Sequence, residues 1–328
     1  MKPTMLQACL EEAHAVNAPC MIWGAPGIGK SQIVRQVAQD NDMGIIDIRL
    51  STYDPTDLKG IPAIINGKAE WLNLSELPDA MRDGKEGILF LDEINAAPPA
   101  TTAAAYRLVL DREIGNYKLP DGWTIVAAGN RESDKGITFK MPAPLANRFT
   151  HLELEVDFDD WIKWALERKN IDHNLLSYIR YRPSNLNNFD PTQRAFPTPR
   201  MWEQVNKYVS ISNPRTRHAM ICGAVGEGVG TEFESFLKMA GQLPDPDLII
   251  MDPENAKVPT DLSAVYATVG ALSVRASENN FDRILTYGNR LKKEFQVLLV
   301  RDSSKRQPNV ANTKAFTEWA LANTEVLL

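Results

Sequence analysis

The residue types that could bind phosphate lie together between positions 24 and 32, with the spacing G-x-x-x-x-G-K-S. Glycine permits backbone angles that other residues avoid, so peptide N–H groups can turn inward around a polyphosphate. A lysine adds charge at the terminal phosphates, and a serine hydroxyl can ligate Mg²⁺. The predicted nucleotide-phosphate loop and the first helical position after it comprise Gly24, Ala25, Pro26, Gly27, Ile28, Gly29, Lys30, Ser31 and Gln32.

The segments on either side of this loop support the prediction. Residues 20–23 form a short apolar run typical of a buried strand, and Ser31 opens a helical pattern that continues to residue 38. A helix beginning at the loop would place its positive end against the phosphates. The motif requires strand, loop and helix in this order, and a chance match is the alternative.

Further polar residues follow two predicted strands, at 87–91 and 124–128. Ligands bind at the carboxyl ends of strands in open α/β sheets. Asp92 is therefore predicted to hold Mg²⁺ together with Ser31, and Glu93 to orient and polarise the attacking water. Asn130 is predicted to hold that water or the γ-phosphate, and a turn-forming asparagine is the alternative.

The elements that must position these residues alternate between strand-like and helix-like segments over the first 150 residues. This alternation is typical of a parallel sheet covered by helices. Further strands are predicted at 45–49 and 151–155, and a helix begins at Pro98 and Pro99. Two hairpins interrupt the alternation: the first turns at Asn66-Gly67, and the shorter second lies within 113–119.

From about residue 157 the pattern becomes mainly helical. The stretch 182–199 is rich in proline and asparagine and is predicted to be a long connection. A second linker is predicted from Pro244 to Pro259, and about three helices are expected in 261–328.

Composition places the chain among ordinary soluble globular proteins, with 328 residues, 44% hydrophobic and 24% charged. No apolar run approaches the ~20 residues needed to cross a bilayer, and no secretory signal is evident. The cysteines Cys9, Cys20 and Cys222 are too scattered for a disulfide framework, and the four histidines show no metal-ligand spacing. We therefore expect a cytoplasmic protein with no membrane partner.

The formal net charge of −6 argues against general binding of nucleic acid. Local basic stretches occur around residues 207–217 and 292–306. A solvated surface is the preferred interpretation of both stretches.

The ordered set of phosphate loop, Asp92-Glu93, Asn130 and the run P-A-P-L-A-N-R-F at 142–149 resembles the AAA+ ATPases. The two hairpins and the run D-P-T-D-L-K-G at 54–60 resemble the MoxR branch of that superfamily, over roughly residues 15–240. The resemblance implies an α/β fold with an AAA+ P-loop core. This core has a parallel five-stranded sheet, helices on both faces and two hairpin insertions. A helical lid and a helical C-terminal region follow, and the implied domains are 1–156, 157–244 and 245–328.

The resemblance also implies roles for particular arginines. Arg148, in the N-R-F run, would be the arginine finger that reaches the neighbouring subunit's nucleotide, with a structural salt bridge as the alternative. Arg200, in the run P-T-P-R-M-W-E at 197–203, resembles the second sensor, although Arg194 or Arg215 could fill that role. Arg131 would either face the subunit interface or form a solvent-exposed salt bridge.

As a whole, the resemblance implies an ATPase that uses ATP and Mg²⁺ and assembles as a homo-oligomeric ring of six. It further implies a chaperone-like remodeller of protein complexes acting with a von Willebrand A domain protein. A nucleic-acid motor or loader and a nucleotide-switched scaffold are the alternatives. The sequence departs from the family pattern at Trp23, where a smaller apolar residue is usual. The second hairpin is also short, which leaves its role in engaging substrate open.

Overall fold

The structure of the protein is a computed structural model that describes residues 1–72, 75–134, 139–167 and 170–327. The chain forms two compact units, Met1–Asp157 and Phe158–Leu328. The first unit is an α/β unit, and the second is helical. The division into domains 1–156, 157–244 and 245–328 stays a prediction.

The first unit contains helices and strands in alternation. Its helices are α1 (Pro3–Ala15), α2 (Lys30–Asp40), α3 (Pro55–Lys59), α4 (Pro99–Asp111) and α5 (Ala143–Ala146). Its strands are β1 (Cys20–Trp23), β2 (Gly44–Arg49), β3 (Ile61–Ile65), β4 (Lys68–Leu72), β5 (Glu86–Asp92), β6 (Glu113–Ile114), β7 (Tyr117–Lys118), β8 (Gly122–Gly129) and β9 (Thr150–Glu153).

Five of these strands form a parallel sheet in the order β2-β5-β8-β1-β9. The sheet confirms the predicted five-stranded core, and its edge strand β9 begins and ends slightly earlier than expected. Because β5, β8 and β1 are neighbours at the centre, the residues that follow them meet at one edge of the sheet.

Helices cover both faces of this sheet, as predicted. Successive side chains of a strand point to opposite faces, so Ile88 and Phe90 of β5 join one core cluster while Leu89 and Leu91 join another. The first cluster includes residues of α1 and α2, and the second includes residues of α4. Burial on both faces explains why β5 is a continuous apolar run in the sequence.

The two predicted hairpins are present. β3 and β4 pair in antiparallel fashion around Asn66 (φ 53°) and Gly67 (φ 77°), and the type I′ turn requires positive φ at both positions. The shorter hairpin, β6–β7, lies beside the first, where the Asn116 side-chain amide donates to the Trp71 carbonyl at 3.4 Å.

The second unit contains helices α6 (Phe158–Glu167), α7 (His173–Tyr181), α8 (Pro199–Tyr208), α9 (Pro214–Val225), α10 (Glu227–Ala240), α11 (Pro246–Met251), α12 (Leu262–Arg275), α13 (Phe281–Gly288), α14 (Lys293–Arg306), α15 (Lys314–Ala322) and α16 (Thr324–Leu327). A buried ion pair between Arg180 and Asp302 joins α7 to α14. Among the described helices of the chain, none combines the length and apolar character that a membrane-spanning segment needs.

Two expectations for this unit are corrected. The predicted linker at 244–259 contains α11, whose N-cap Asp245 accepts a hydrogen bond from the Asp247 N–H at 2.9 Å. The prolines there include Pro246 at the first helical position, where proline is tolerated, so they do not exclude a helix. The region 261–328 contains α12 to α16, more than the three or so helices expected, because its helices are short and the connections between them are only a few residues long.

Candidate functional site

The phosphate-loop residues connect β1 to α2, as the motif requires. Gly27 (φ 80°) and Gly29 (φ 98°) lie in the left-handed backbone region that only glycine occupies without strain. Gly29 is also the N-cap residue of α2, and Gln32 lies exposed in the first turn of that helix. The positive φ angles at positions 27 and 29 therefore explain why glycine occurs at both.

Lys30 lies buried beneath this loop and links it to the sheet. Its ammonium group donates to the carbonyl oxygens of Gly24 at 2.6 Å and Ala25 at 3.0 Å. It also donates to Asn130 Oδ1 at 2.9 Å. The loop and the end of β8, which are a hundred residues apart in sequence, thus meet at one ammonium group.

Ser31 and Asp92 bring two oxygen atoms together. The Ser31 hydroxyl donates to Asp92 Oδ2 at 3.0 Å, and the Asp92 side chain is largely buried. The other carboxylate oxygen, Oδ1, accepts the Glu93 backbone N–H at 2.9 Å, which fixes the orientation of the group. Mg²⁺ prefers oxygen ligands of this kind, so the pair fits the predicted metal role.

Glu93 adopts φ 54°, a left-handed conformation that is uncommon for a residue with a side chain. Such backbone strain costs about 1–3 kcal/mol and is concentrated at functional sites. The Glu93 carboxylate accepts a hydrogen bond from the Ser51 hydroxyl at 2.8 Å. Arg49 lies 3.9 Å from Glu93 Oε2 and 4.0 Å from Asp92 Oδ2.

Sequence reasoning missed Arg49 and Ser51, although a signal was present for Arg49. Arg49 ends β2 and stands opposite Asp92 in the parallel register of β2 and β5. A charged residue at the carboxyl end of a neighbouring strand belongs at the same ligand edge. Ser51 follows in a short 3₁₀ turn and carries no comparable signal.

Asn95 is a third residue that the sequence did not indicate. Its amide donates to the Asn130 carbonyl at 2.8 Å, and its Oδ1 accepts the Asn130 N–H at 3.2 Å. The Asn95 side chain is almost fully buried, and a Cβ on Gly129 would lie 2.4 Å from Asn95 Oδ1. Asn95 therefore clamps the backbone of the residue whose side chain contacts Lys30.

Arg148 lies at the surface between α5 and β9, next to the buried Phe149. Its side chain makes no hydrogen bond or ion pair with any residue in the described part of the chain, and it does not join the cluster around Lys30.

Arg131 forms a salt bridge, which was the alternative to a position at the subunit interface. Its Nε donates to the Glu153 carboxylate at 2.9 Å, and its Nη2 donates to the Leu154 carbonyl at 3.0 Å.

Arg200 is the second residue of α8, where the N-cap Thr198 accepts the Met201 N–H at 3.2 Å. Arg194 and Arg215 are exposed as well. All three arginines belong to the second unit and Lys30 to the first. The second-sensor role therefore stays a prediction.

Trp23, the departure noted in the sequence, packs against the edge strand. Its ring stacks on His151, with centroids 6.0 Å apart, and its indole N–H donates to His151 Nδ1 at 2.8 Å. An indole nitrogen only donates, so His151 accepts at Nδ1 and donates from Nε2 to the Ala146 carbonyl at 2.8 Å. The larger side chain is thereby accommodated.

A lysine within a glycine-rich loop, a serine–aspartate oxygen pair and an adjacent glutamate at the carboxyl edge of a parallel sheet define the class of P-loop nucleotide-binding domains. Residues 19–149 match the family model described as AAA domain (dynein-related subfamily). This match assigns that segment to the AAA domain, an ATPase-type nucleotide-binding domain, while membership of the MoxR branch stays a prediction.

Similar proteins are known from sequence and structure comparisons. Midasin of Giardia intestinalis is 26% identical over 187 residues, which represent 54% of this chain and 4% of midasin. The chain thus spans a small fraction of that relative. NtrX from Brucella abortus in complex with ATP shows 13% identity and a TM-score of 0.38, covering 98% of this chain and 66% of NtrX. An arginine-to-alanine variant of Thermotoga maritima RuvB shows 17% identity and a TM-score of 0.39, covering 82% of this chain and 80% of the RuvB chain. TM-scores this low do not support a classification, which therefore rests on the family match to residues 19–149.

Proposed function

We propose that this protein is an ATP-hydrolysing AAA+ ring ATPase of the MoxR type that remodels protein complexes. Two hydrogen bonds carry the proposal. The Lys30 ammonium donates to Asn130 Oδ1 at 2.9 Å, and the Ser31 hydroxyl donates to Asp92 Oδ2 at 3.0 Å. These contacts join the phosphate loop to the two strand ends that the chemistry requires. The match of residues 19–149 to the AAA domain supports the same conclusion.

In this proposal, the loop and the first turn of α2 bind the phosphates of ATP through backbone N–H groups. Lys30 exchanges its carbonyl partners for oxygens of the β- and γ-phosphates. Ser31 and Asp92 would hold Mg²⁺, which when bound neutralises charge on those oxygens.

Glu93 acts as the general base in this scheme and takes the proton of the attacking water. Its neighbours Ser51 and Arg49 hold the carboxylate in position until then. Asn130 orients the water or the γ-phosphate through its amide, and the Asn95 clamp fixes where that amide lies.

A second cationic side chain, besides Lys30, is supplied to the site by a neighbouring copy of the chain. Arg148 is exposed and has no partner among the described residues, so its side chain is available to a second subunit. A guanidinium at the γ-phosphoryl group stabilises charge that develops in the transition state. We infer a ring of six subunits from the family resemblance.

The proposed client is a protein, recruited with a von Willebrand A domain partner as the MoxR resemblance implies. The first hairpin exposes large apolar side chains, with Ile61 at 71% and Ile64 at 83% of their surface accessible. Together with the net charge of −6, this apolar surface favours a protein client over nucleic acid. Rotation of the helical domains on hydrolysis would transmit force to the client.

Replacing Lys30 by alanine tests nucleotide binding at this site. We expect ATP affinity to fall on the order of 100-fold, because each charge-assisted hydrogen bond contributes about 1.5–3 kcal/mol. Equilibrium binding of a fluorescent ATP analogue measures the change. Lys85→Ala, which removes an exposed lysine just before β5, is the matched control and should bind as the wild type does. Equal affinity in both variants would contradict the assignment.

The choice of client class has a separate test. Addition of DNA or RNA should leave ATP turnover unchanged, and any binding of either polymer should be weak at physiological salt. Turnover that rises with DNA, together with affinity that falls steeply as salt increases, would favour a nucleic-acid motor instead.

Replacing Asn95 by alanine tests the clamp on Asn130. The change removes the partner of the N–H and carbonyl groups of the half-buried Asn130, which costs up to about 1–3 kcal/mol. We expect kcat to fall about tenfold or more with a smaller change in KM, and Gly129→Ala should act in the same direction by displacing the Asn95 amide. Steady-state kinetics measures both variants. Asn116→Ala, at an exposed hairpin position, is the control; wild-type kcat in Asn95→Ala would refute the positioning role.

A further inference from the structure

Three metal-ligating side chains meet in the second unit, and none of them is assigned a role above. His218 and Cys222 lie four residues apart on α9 and therefore share one face of that helix. Glu227 is the first residue of α10, directly after the turn. One ligand atom from each residue lies within 4.8 Å of the other two.

The distance between the sulfur and the imidazole nitrogen suits two ligands of a single small ion. Zn²⁺ binds thiolate sulfur at about 2.3 Å and imidazole nitrogen at about 2.0–2.1 Å in tetrahedral geometry. Those bond lengths place the sulfur and the nitrogen roughly 3.5 Å apart, by tetrahedral geometry. Cys222 Sγ and His218 Nε2 are 3.6 Å apart.

The backbone holds the ligands together at a tight helix–helix turn. Gly226, at φ 88°, takes a left-handed conformation that lets α10 turn back along α9. Gly230 lies against Cys222 so closely that a Cβ there would come within 2.7 Å of Cys222 Sγ. The close approach brings the first turn of α10, with Glu227, to the sulfur.

We propose that Cys222, His218 and Glu227 form a zinc-binding site, with a fourth position open to solvent. The donor set of thiolate, imidazole and carboxylate favours Zn²⁺ over the hard Mg²⁺ of a nucleotide site. Cys222 is buried, His218 is half-buried and Glu227 is exposed, so an ion has access from the Glu227 side. Burial raises the pKa of the Cys222 thiol, and zinc binding releases its proton.

The four histidines alone show no metal-ligand spacing, because the other two ligands of this cluster are a cysteine and a glutamate. The pattern H-x-x-x-C followed five residues later by glutamate includes a carboxylate that a helix turn must bring back. This turn depends on the conformation of Gly226, which the sequence did not single out. The site is independent of the proposed ATPase function, since none of its ligands belongs to the nucleotide-site cluster.

Zinc and cobalt titrations of the metal-stripped full chain test the site. We expect one Zn²⁺ per chain, measured by competition with a chromophoric chelator, and a thiolate-to-metal charge-transfer band when Co²⁺ replaces Zn²⁺. Cys222→Ser should abolish the band, and both His218→Gln and Glu227→Gln should weaken Zn²⁺ binding at least about tenfold. Cys9→Ser, outside the cluster, is the matched control and should keep the band and the affinity.

Two results would overturn the proposal. The first is a Co²⁺ spectrum without the charge-transfer band in the wild-type chain, which would leave a thiol–imidazole hydrogen bond as the whole explanation of the Cys222–His218 contact. The second is unchanged Zn²⁺ affinity in Glu227→Gln. The glutamate is exposed, so this variant should fold, and circular dichroism verifies that it does.

Discussion

Replacing Arg148 by alanine is expected to lower ATP turnover on the order of 10³-fold while leaving ATP affinity unchanged. The expected loss is large because a trans-acting guanidinium stabilises charge that appears only in the transition state. Arg148 makes no side-chain bond within the described part of its own chain, so its removal should not weaken the fold. Turnover assays with parallel binding measurements separate the two effects.

Mixed rings test whether Arg148 acts on a neighbouring subunit. Combining Arg148→Ala with Lys30→Ala chains should restore part of the turnover, because some interfaces then contain an intact loop and an intact arginine. Arg107→Ala, at an exposed position of α4, is the matched control and should retain wild-type turnover. Absence of recovery in rings shown to be mixed would remove the in-trans assignment.

Replacing Glu93 by glutamine is expected to reduce kcat by about 10²–10⁴-fold while ATP remains bound. The amide keeps an oxygen that accepts the Ser51 hydrogen bond but cannot take a proton from water. Rapid-quench turnover and retention of labelled ATP measure the effect. Sedimentation of the ATP-loaded variant should show a persistent ring, since hydrolysis would no longer release the subunits.

Glu86→Gln is the matched control for this variant, because Glu86 is exposed and begins the same strand. The control should hydrolyse ATP at the wild-type rate. Glu93→Gln with wild-type kcat would show that another group accepts the proton, and the positive φ of Glu93 would then need another explanation.

The sequence predicted the parts of the first unit that local rules determine. Apolar runs identified the central strands, and Asn66-Gly67 identified the first hairpin because only positive φ fits that turn. The phosphate loop was recognisable since its glycines are fixed by backbone conformation. The position of the loop and the central strands therefore followed from short-range patterns.

The contributions of Arg49, Ser51 and Asn95 depend on strand order and on side-chain packing, which the sequence alone did not define. Asn95 lies two residues after Glu93 in a turn, and its function as a clamp arises only when the end of β8 lies beside it. The same limit applies to the zinc ligands. Helix α11 was missed for a different reason, because proline marks both linkers and helix starts.

The hydrogen bonds that the Lys30 ammonium donates to Gly24, Ala25 and Asn130 have a consequence for affinity. In the proposed ATP complex, phosphate oxygens would compete with Gly24, Ala25 and Asn130 for the same cation, so an ionic contact would replace a hydrogen bond to a neutral oxygen. The contribution of Lys30 to affinity is therefore the difference between its contacts with charged phosphate oxygens and its present hydrogen bonds to neutral oxygens. A truncated ligand without the γ-phosphate should bind more weakly, because fewer charged oxygens are then present to replace these hydrogen bonds.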